Sequence, residues 1–174
     1  MLREISVGYD PAEDRIHLQL RCREGDTDVA HRLLLTRRLC LPFRTGLQEL
    51  VRRSAEVPES VAAPARQALQ AGHHQARLQQ TSMTSERRES IATGDSPPRL
   101  VVRALCGTRR RDGKCVVRFE CLAGEPLVVT LGERTLHALA AGIDDRMRRA
   151  AWVDEPAPGL TKPTPPAGPP AGLH

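Results

Sequence analysis

The adjacent pair His73-His74 is the first place to look for metal chemistry. Zinc ligands carried on one helix favour i, i+4 spacing, whereas neighbouring helical residues point about 100° apart. Glu59 and Glu86, the other ligand types in this stretch, are far off along the chain. The pair is therefore expected to face solvent, with no metal bound. Cys22 and Cys121 occupy equivalent places in two similar strands, with His17 and His31 in the same stretch as the first thiol. Two thiols fall short of the four ligands of a structural zinc site, so packing at strand ends is the expected role. Glu13-Asp14 and Asp144-Asp145 supply paired carboxylates for acid–base work. The first pair falls in an expected turn and the second on the polar side of an amphipathic helix, where charges are normally solvated. No Ser/His/Asp order, glycine-rich phosphate loop or HExxH stands out, and Gly107-Thr-Arg and Gly124-Glu-Pro read as turns. Neither a catalytic residue nor a cofactor is expected.

Arginine offers the remaining chemistry. Arg109, Arg110 and Arg111 with Lys114 cluster at an expected hairpin tip, where several cations meet phosphates readily. Arg37-Arg38, Arg52-Arg53, Arg87-Arg88 and Arg148-Arg149 add pairs. The Arg52-Arg53 and Arg148-Arg149 pairs lie near helix C-termini, where the helix dipole already favours cations. Stacking platforms for single-stranded bases need aromatic rings, and aromatics are only 2% of this chain. The charge is +5 but evenly spread: residues 1–58 carry 10 basic and 9 acidic groups. Only Lys114 and Lys162 among the 26 basic residues are lysine, an arginine-rich, bacterial-like composition typical of GC-rich coding.

The elements that position these residues show a repeat. RIHLQLRCREGD (15–26) aligns without a gap to KCVVRFECLAGE (114–125), placing Leu18 on Val117, Leu20 on Phe119 and Cys22 on Cys121. Both segments alternate apolar and polar residues, the period of a half-buried strand. After a short deletion LLLT (33–36) matches LVVT (127–130), and GLQELVRRSA (46–55) matches GIDDRMRRAA (142–151). Ile5–Tyr9 and Arg99–Cys106 supply a first strand to each copy, with turns at Asp10-Pro11 and Asp112-Gly113. Leu136, Leu139, Ile143 and Met147 line one face of a helix, as do Phe43, Leu47, Leu50 and Val51. Pro42 suits a first turn, so the first helix is expected to begin near it. Gly46 and Gly142 interrupt both helices at matching places, which points to close backbone packing there.

The expected fold class is α+β. Two pseudo-symmetric three-stranded meander-plus-helix units, residues 1–55 and 99–154, form an antiparallel sheet with the helices on one face. Face-to-face packing of the two units is the alternative. The linker, 56–98, is first helical, with a thin apolar face at Val61, Ala65, Ala68 and Leu69, then flexible from 81 to 98. The proline-rich tail, 155–174, is expected to be disordered. Over residues 59–152 the order helix, three strands, helix resembles a double-stranded RNA-binding domain, although Glu133 and Arg134 open the last helix where such domains carry a basic run. Duplicated meander-plus-helix units are similar to the Whirly and PUR nucleic-acid binders, which have a fourth strand and exposed aromatics that this chain lacks.

No run approaches the roughly 18 apolar residues of a membrane span, and the N-terminus lacks an apolar signal segment. Five cysteines with no CxxC suit a reducing cytoplasm. The expected function is non-catalytic: a protein-interaction module such as an adaptor, assembly factor or regulator, with a protein partner. The alternative is a nucleic-acid binder using Arg109–Lys114 on phosphates.

Overall fold

A computed structural model of the chain describes residues 2–58, 60–79, 96–109 and 112–153. The element order is β1 (Leu2–Asp10), β2 (Arg15–Glu24), β3 (Thr27–Thr36), α1 (Arg37–Ser54), α2 (Ala63–Gln79), β4 (Arg99–Thr108), β5 (Cys115–Cys121), β6 (Leu127–Leu131) and α3 (Glu133–Arg149). The fold is α+β. Most of the expected flexible linker, and the expected disordered tail, lie outside the described residues.

The strands form one six-stranded sheet in the order β1-β2-β3-β4-β5-β6. Each meander is antiparallel, but β3 and β4 run parallel through Leu33–Arg99 and Leu34–Leu100. The sheet is therefore mixed, not antiparallel as the alternation suggested. The cause is the connection: the chain leaves β3, passes through α1 and α2, and returns to start β4 in the same direction. A long helical crossover makes that possible where a hairpin cannot.

The two hairpins share a register. Tyr9 faces Ile16 and Leu2 faces Cys22, while Thr108 faces Cys115 and Val101 faces Cys121, one constant offset along the chain. Both pairs shift register at the same point, between Leu2 and Glu4 and between Val101 and Arg103. Pairing with Val116 and Cys115 carries β4 through Gly107 and Thr108, so these residues finish a strand instead of forming a turn. The turn lies beyond them, where Arg109 and Lys114 bond through their backbones and Gly113 takes a positive φ of 67°. The Asp112-Gly113 signal is thus met.

Alternate residues of β2 point inward: Ile16, Leu18, Leu20 and Cys22 are buried and their neighbours are not. They join Leu33, Leu35, Val117, Phe119, Val129 and Leu131 in one apolar cluster with the helices. Phe43 of α1 meets Phe119 of β5 edge to face at 5.6 Å. The chain thus has one core drawn from both ends of the sequence. Each helix rests on the other half: α1 packs mainly on β4, α3 on β1, and the two helices on each other. A methyl group added at Gly46 would lie 3.0 Å from Cys106 Sγ, and one at Gly142 3.1 Å from Val7 Cγ2. Both glycines let a helix approach the first strand of the opposite half, and Arg146 Nε donates to Val7 O at 3.0 Å beside this contact.

α1 begins at Arg37, a turn earlier than expected, and contains Pro42. An interior proline lacks one helical N–H. Leu39 and Cys40, both buried, extend the apolar face into that extra turn and offset the loss. α2 departs further from expectation. It buries no residue fully, and Leu69 of its expected apolar stripe is 56% exposed. Its inner side is polar, with Arg66, Gln70, His73, His74 and Arg77 half-buried.

Candidate functional site

The polar side of α2 meets the start of α3. Glu133 and His137 stand at i, i+4 on α3, so both project from one face toward α2. His137 is fully buried. Its Nδ1 lies 2.7 Å from His74 Nδ1 and its Nε2 lies 3.1 Å from the hydroxyl of Ser54, which itself donates to Val51 O. The His74 and His137 rings stack at 4.9 Å, and His73 meets His137 edge to face at 5.4 Å. Glu133 divides its oxygens: Oε1 is 3.1 Å from His73 Nε2 and Oε2 is 2.9 Å from Arg77. His73 and His74 therefore do not face solvent as a free pair. They are half-buried and aimed at α3.

Electrostatics follow from this crowding. Burial, with His74 and His73 adding to it, pushes the His137 pKa down to about 4. Burial also lowers His74, against the pull of Asp144. Both rings are neutral near pH 7 and keep lone pairs. One ligand atom each from His73, Glu133 and His137 lies within 4.8 Å of the others, the group that a metal ion would fit among the described residues. A broad cleft reaches this cluster, lined there by Ser54, His73, Arg77 and Glu133.

The expected hairpin tip is the turn between β4 and β5. Arg109 and Lys114 both turn to Asp112, at 2.9 and 3.8 Å, while Arg110 and Arg111 lie outside the described residues. Arg52 and Arg53 hold Glu49, whose pKa their hydrogen bonds lower to about 2. Arg148 and Arg149 hold Asp144 and Asp145. These helix-end arginines are partnered within their own helices.

Both carboxylate pairs contain a surprise. Asp144 is 5% exposed, not solvated, and its Oδ1 accepts from Arg44 of α1 at 2.6 Å. Asp14 accepts from Tyr9 Oη and from Trp152 Nε1, both at 2.9 Å, tying the chain after α3 to the first hairpin. Each is a structural bond between distant segments. Cys22 on β2 and Cys121 on β5 are separated in the sheet by β3 and β4. His17 and His31 reach glutamates, Glu13 and Glu24, and not the thiols. All five thiols are free, with Cys40 pushed up to about 12 and Cys106 to about 11 by burial, which makes these two poor nucleophiles.

Glu133 and His137 were the residues that sequence reasoning missed. The i, i+4 ligand spacing lies on α3 and not around His73. It went unseen because His137 adjoins the apolar stripe Leu136, Leu139, Ile143, where any side chain reads as core filling.

The sequence matches no protein-family model and no curated protein. Among the described residues no helix is long and apolar enough to cross a membrane.

Proposed function

We propose that this protein is a non-catalytic interaction module, an adaptor, assembly factor or regulator, that binds a protein partner on the outer face of β4–β6. One observation carries the reading. Across the first meander, Ser6, Gln19 and Arg32 form an outward row. The row at the same register in the second meander is Leu105, Arg118 and Val128. Leu105 and Val128 are 39% and 56% exposed, and Val116 lines the same shallow hollow. A polar row in one half and an apolar-flanked row in the other argues that the second face is kept for contact.

The matching registers support a wider reading, in which the two halves are copies of one unit related by a pseudo-twofold axis. Five free thiols support a reducing, cytoplasmic location. Nucleic-acid binding is the weaker alternative, because Arg109 and Lys114 share Asp112 and the helix-end arginines hold carboxylates of their own helices.

The test is affinity capture from native lysate of the source cells with the intact chain and with Leu105→Asp/Val128→Asp. A specific protein retained by the first and lost by the second supports the reading. Equal recovery on both, or a clean monomer from both, overturns it. Retention on heparin that falls steeply with salt would favour the alternative.

A further inference from the structure

α2 poses a packing problem that its apolar residues do not solve. It has no fully buried residue, and of its apolar residues only Ala71 and Leu78 are half-buried, so little of the burial that normally holds a helix is present. What joins it to the body is polar: His73 and Arg77 on Glu133, His74 on His137, and Gln70 on Arg52 O at 3.4 Å. At the centre of these contacts sit two imidazoles and one carboxylate whose ligand atoms lie within 4.8 Å of one another.

We infer that His73, Glu133 and His137 form a binding site for a divalent, zinc-class ion that pins α2 to α3. Four features of the geometry support it. The donor set, two nitrogens and one oxygen, suits zinc-class ions and not magnesium or calcium, which take oxygen ligands. The ligands come from two helices, with Glu133 and His137 on one face of α3 and His73 opposite. The surrounding bonds have the form that orients metal ligands. Arg77 holds Glu133 Oε2 and leaves Oε1 toward the histidines, while His137 has His74 at one nitrogen and Ser54 at the other. The His137 nitrogen that binds the ion exchanges its present partner for it, and the other nitrogen keeps the partner that fixes the ring. Finally, His73 Nδ1 is buried and meets no hydrogen-bond partner among the described residues, so the ring has one nitrogen on Glu133 and an unused position at the other. The cleft lined by Ser54, His73 and Glu133 gives an ion a route to the cluster.

The inference is independent of the β4–β6 contact face and is tested separately on the full chain. Chelator-treated protein is titrated with zinc sulfate by calorimetry, with magnesium and calcium as controls. One zinc per chain is expected, with Tm raised by about 5–10 °C at roughly a hundred-fold excess over Kd and reversed by chelator. His73→Ala and Glu133→Gln should each weaken binding by about 100-fold or more, since even outer-shell losses cost 10–100-fold. Glu133 is surface-accessible, so Glu133→Gln retains a folded chain, checked by circular dichroism, if His73→Ala does not. The five thiols are the competing site, and cobalt separates the two. Visible bands without a thiolate charge-transfer band are expected. A thiolate band, equal binding of magnesium, zinc affinity unchanged in Glu133→Gln, or no saturable zinc binding would each overturn the site.

Discussion

Two helices of this protein, α1 and α3, each follow a three-stranded meander and carry different chemistry. Counted from their central glycines, Leu41 of α1 stands where His137 stands in α3, and Gln48 where Asp144 stands. Leu41 is 44% exposed, whereas His137 is fully buried. Both helices keep the same inward residues, Cys40, Phe43 and Leu47 against Leu136, Leu139 and Ile143, because both must seat on a sheet and on each other. The difference lies on the flank. α2 lies against α3 and turns that flank into an interior where a histidine cluster and an ion pair are retained. The same contrast recurs on the sheet, where Ser6-Gln19-Arg32 answers Leu105-Arg118-Val128. Inward positions are held by packing, and positions facing outward or sideways are free to differ between the two halves. The sites therefore sit on the parts that differ.

The largest expected effect tests whether the halves share one core. Phe43→Ala and Phe119→Ala should each cost about 3–5 kcal/mol and lower one common unfolding transition, read by calorimetry and circular dichroism. Two separate transitions would show independent halves. Next, Asp144→Ala should cost about 2–3 kcal/mol, because Arg44 is left partly buried without its carboxylate. Gln48→Ala, at the matching place in α1, should cost less than about 0.5 kcal/mol in the same urea titration. Comparable losses would erase the contrast between the helices.

The glycines give a smaller effect. A Cβ at either position crowds a neighbour, so Gly46→Ala and Gly142→Ala should each lower stability by about 1 kcal/mol net, after the helix-propensity gain of alanine. Unchanged melting of the double variant would remove the close-approach explanation. A further effect is in pH. His137 titrates near 6.5 when unfolded and near 4 when folded, so between those values the unfolded chain binds the extra proton. Its contribution to stability is complete above about 6.5 and is lost as pH falls toward 4. In chelated protein His137→Leu, which gives the residue type found at position 41, should flatten that part of the stability profile. A profile as steep as the parent's would mean that other groups set it.

Much of this fold is legible in the sequence, for identifiable reasons. Ile16, Leu18, Leu20 and Cys22 alternate because one sheet face is buried, and period two survives in any sequence with that constraint. The ungapped match of 15–26 to 114–125 corresponds to hairpins with the same register. The sense of the β3–β4 pairing is not legible, because it depends on where a long crossover returns the chain. Pro42 misled because local propensity yielded to the burial of Leu39 and Cys40. The histidine cluster escaped because its members come from distant segments. His73 and His137 become neighbours only after α2 docks, and α2 docks by a polar face that no apolar pattern announces.

The seating of each helix on the opposite half has a consequence for synthesis. When α1 leaves the ribosome, the strand that receives Gly46 has not yet been made, so the first meander emerges with Phe43 and Leu47 uncovered. The two halves close over one another only once β4 arrives and α3 reaches β1. Until then the nascent chain presents an apolar stripe to its surroundings, and an excised N-terminal half would carry that stripe permanently.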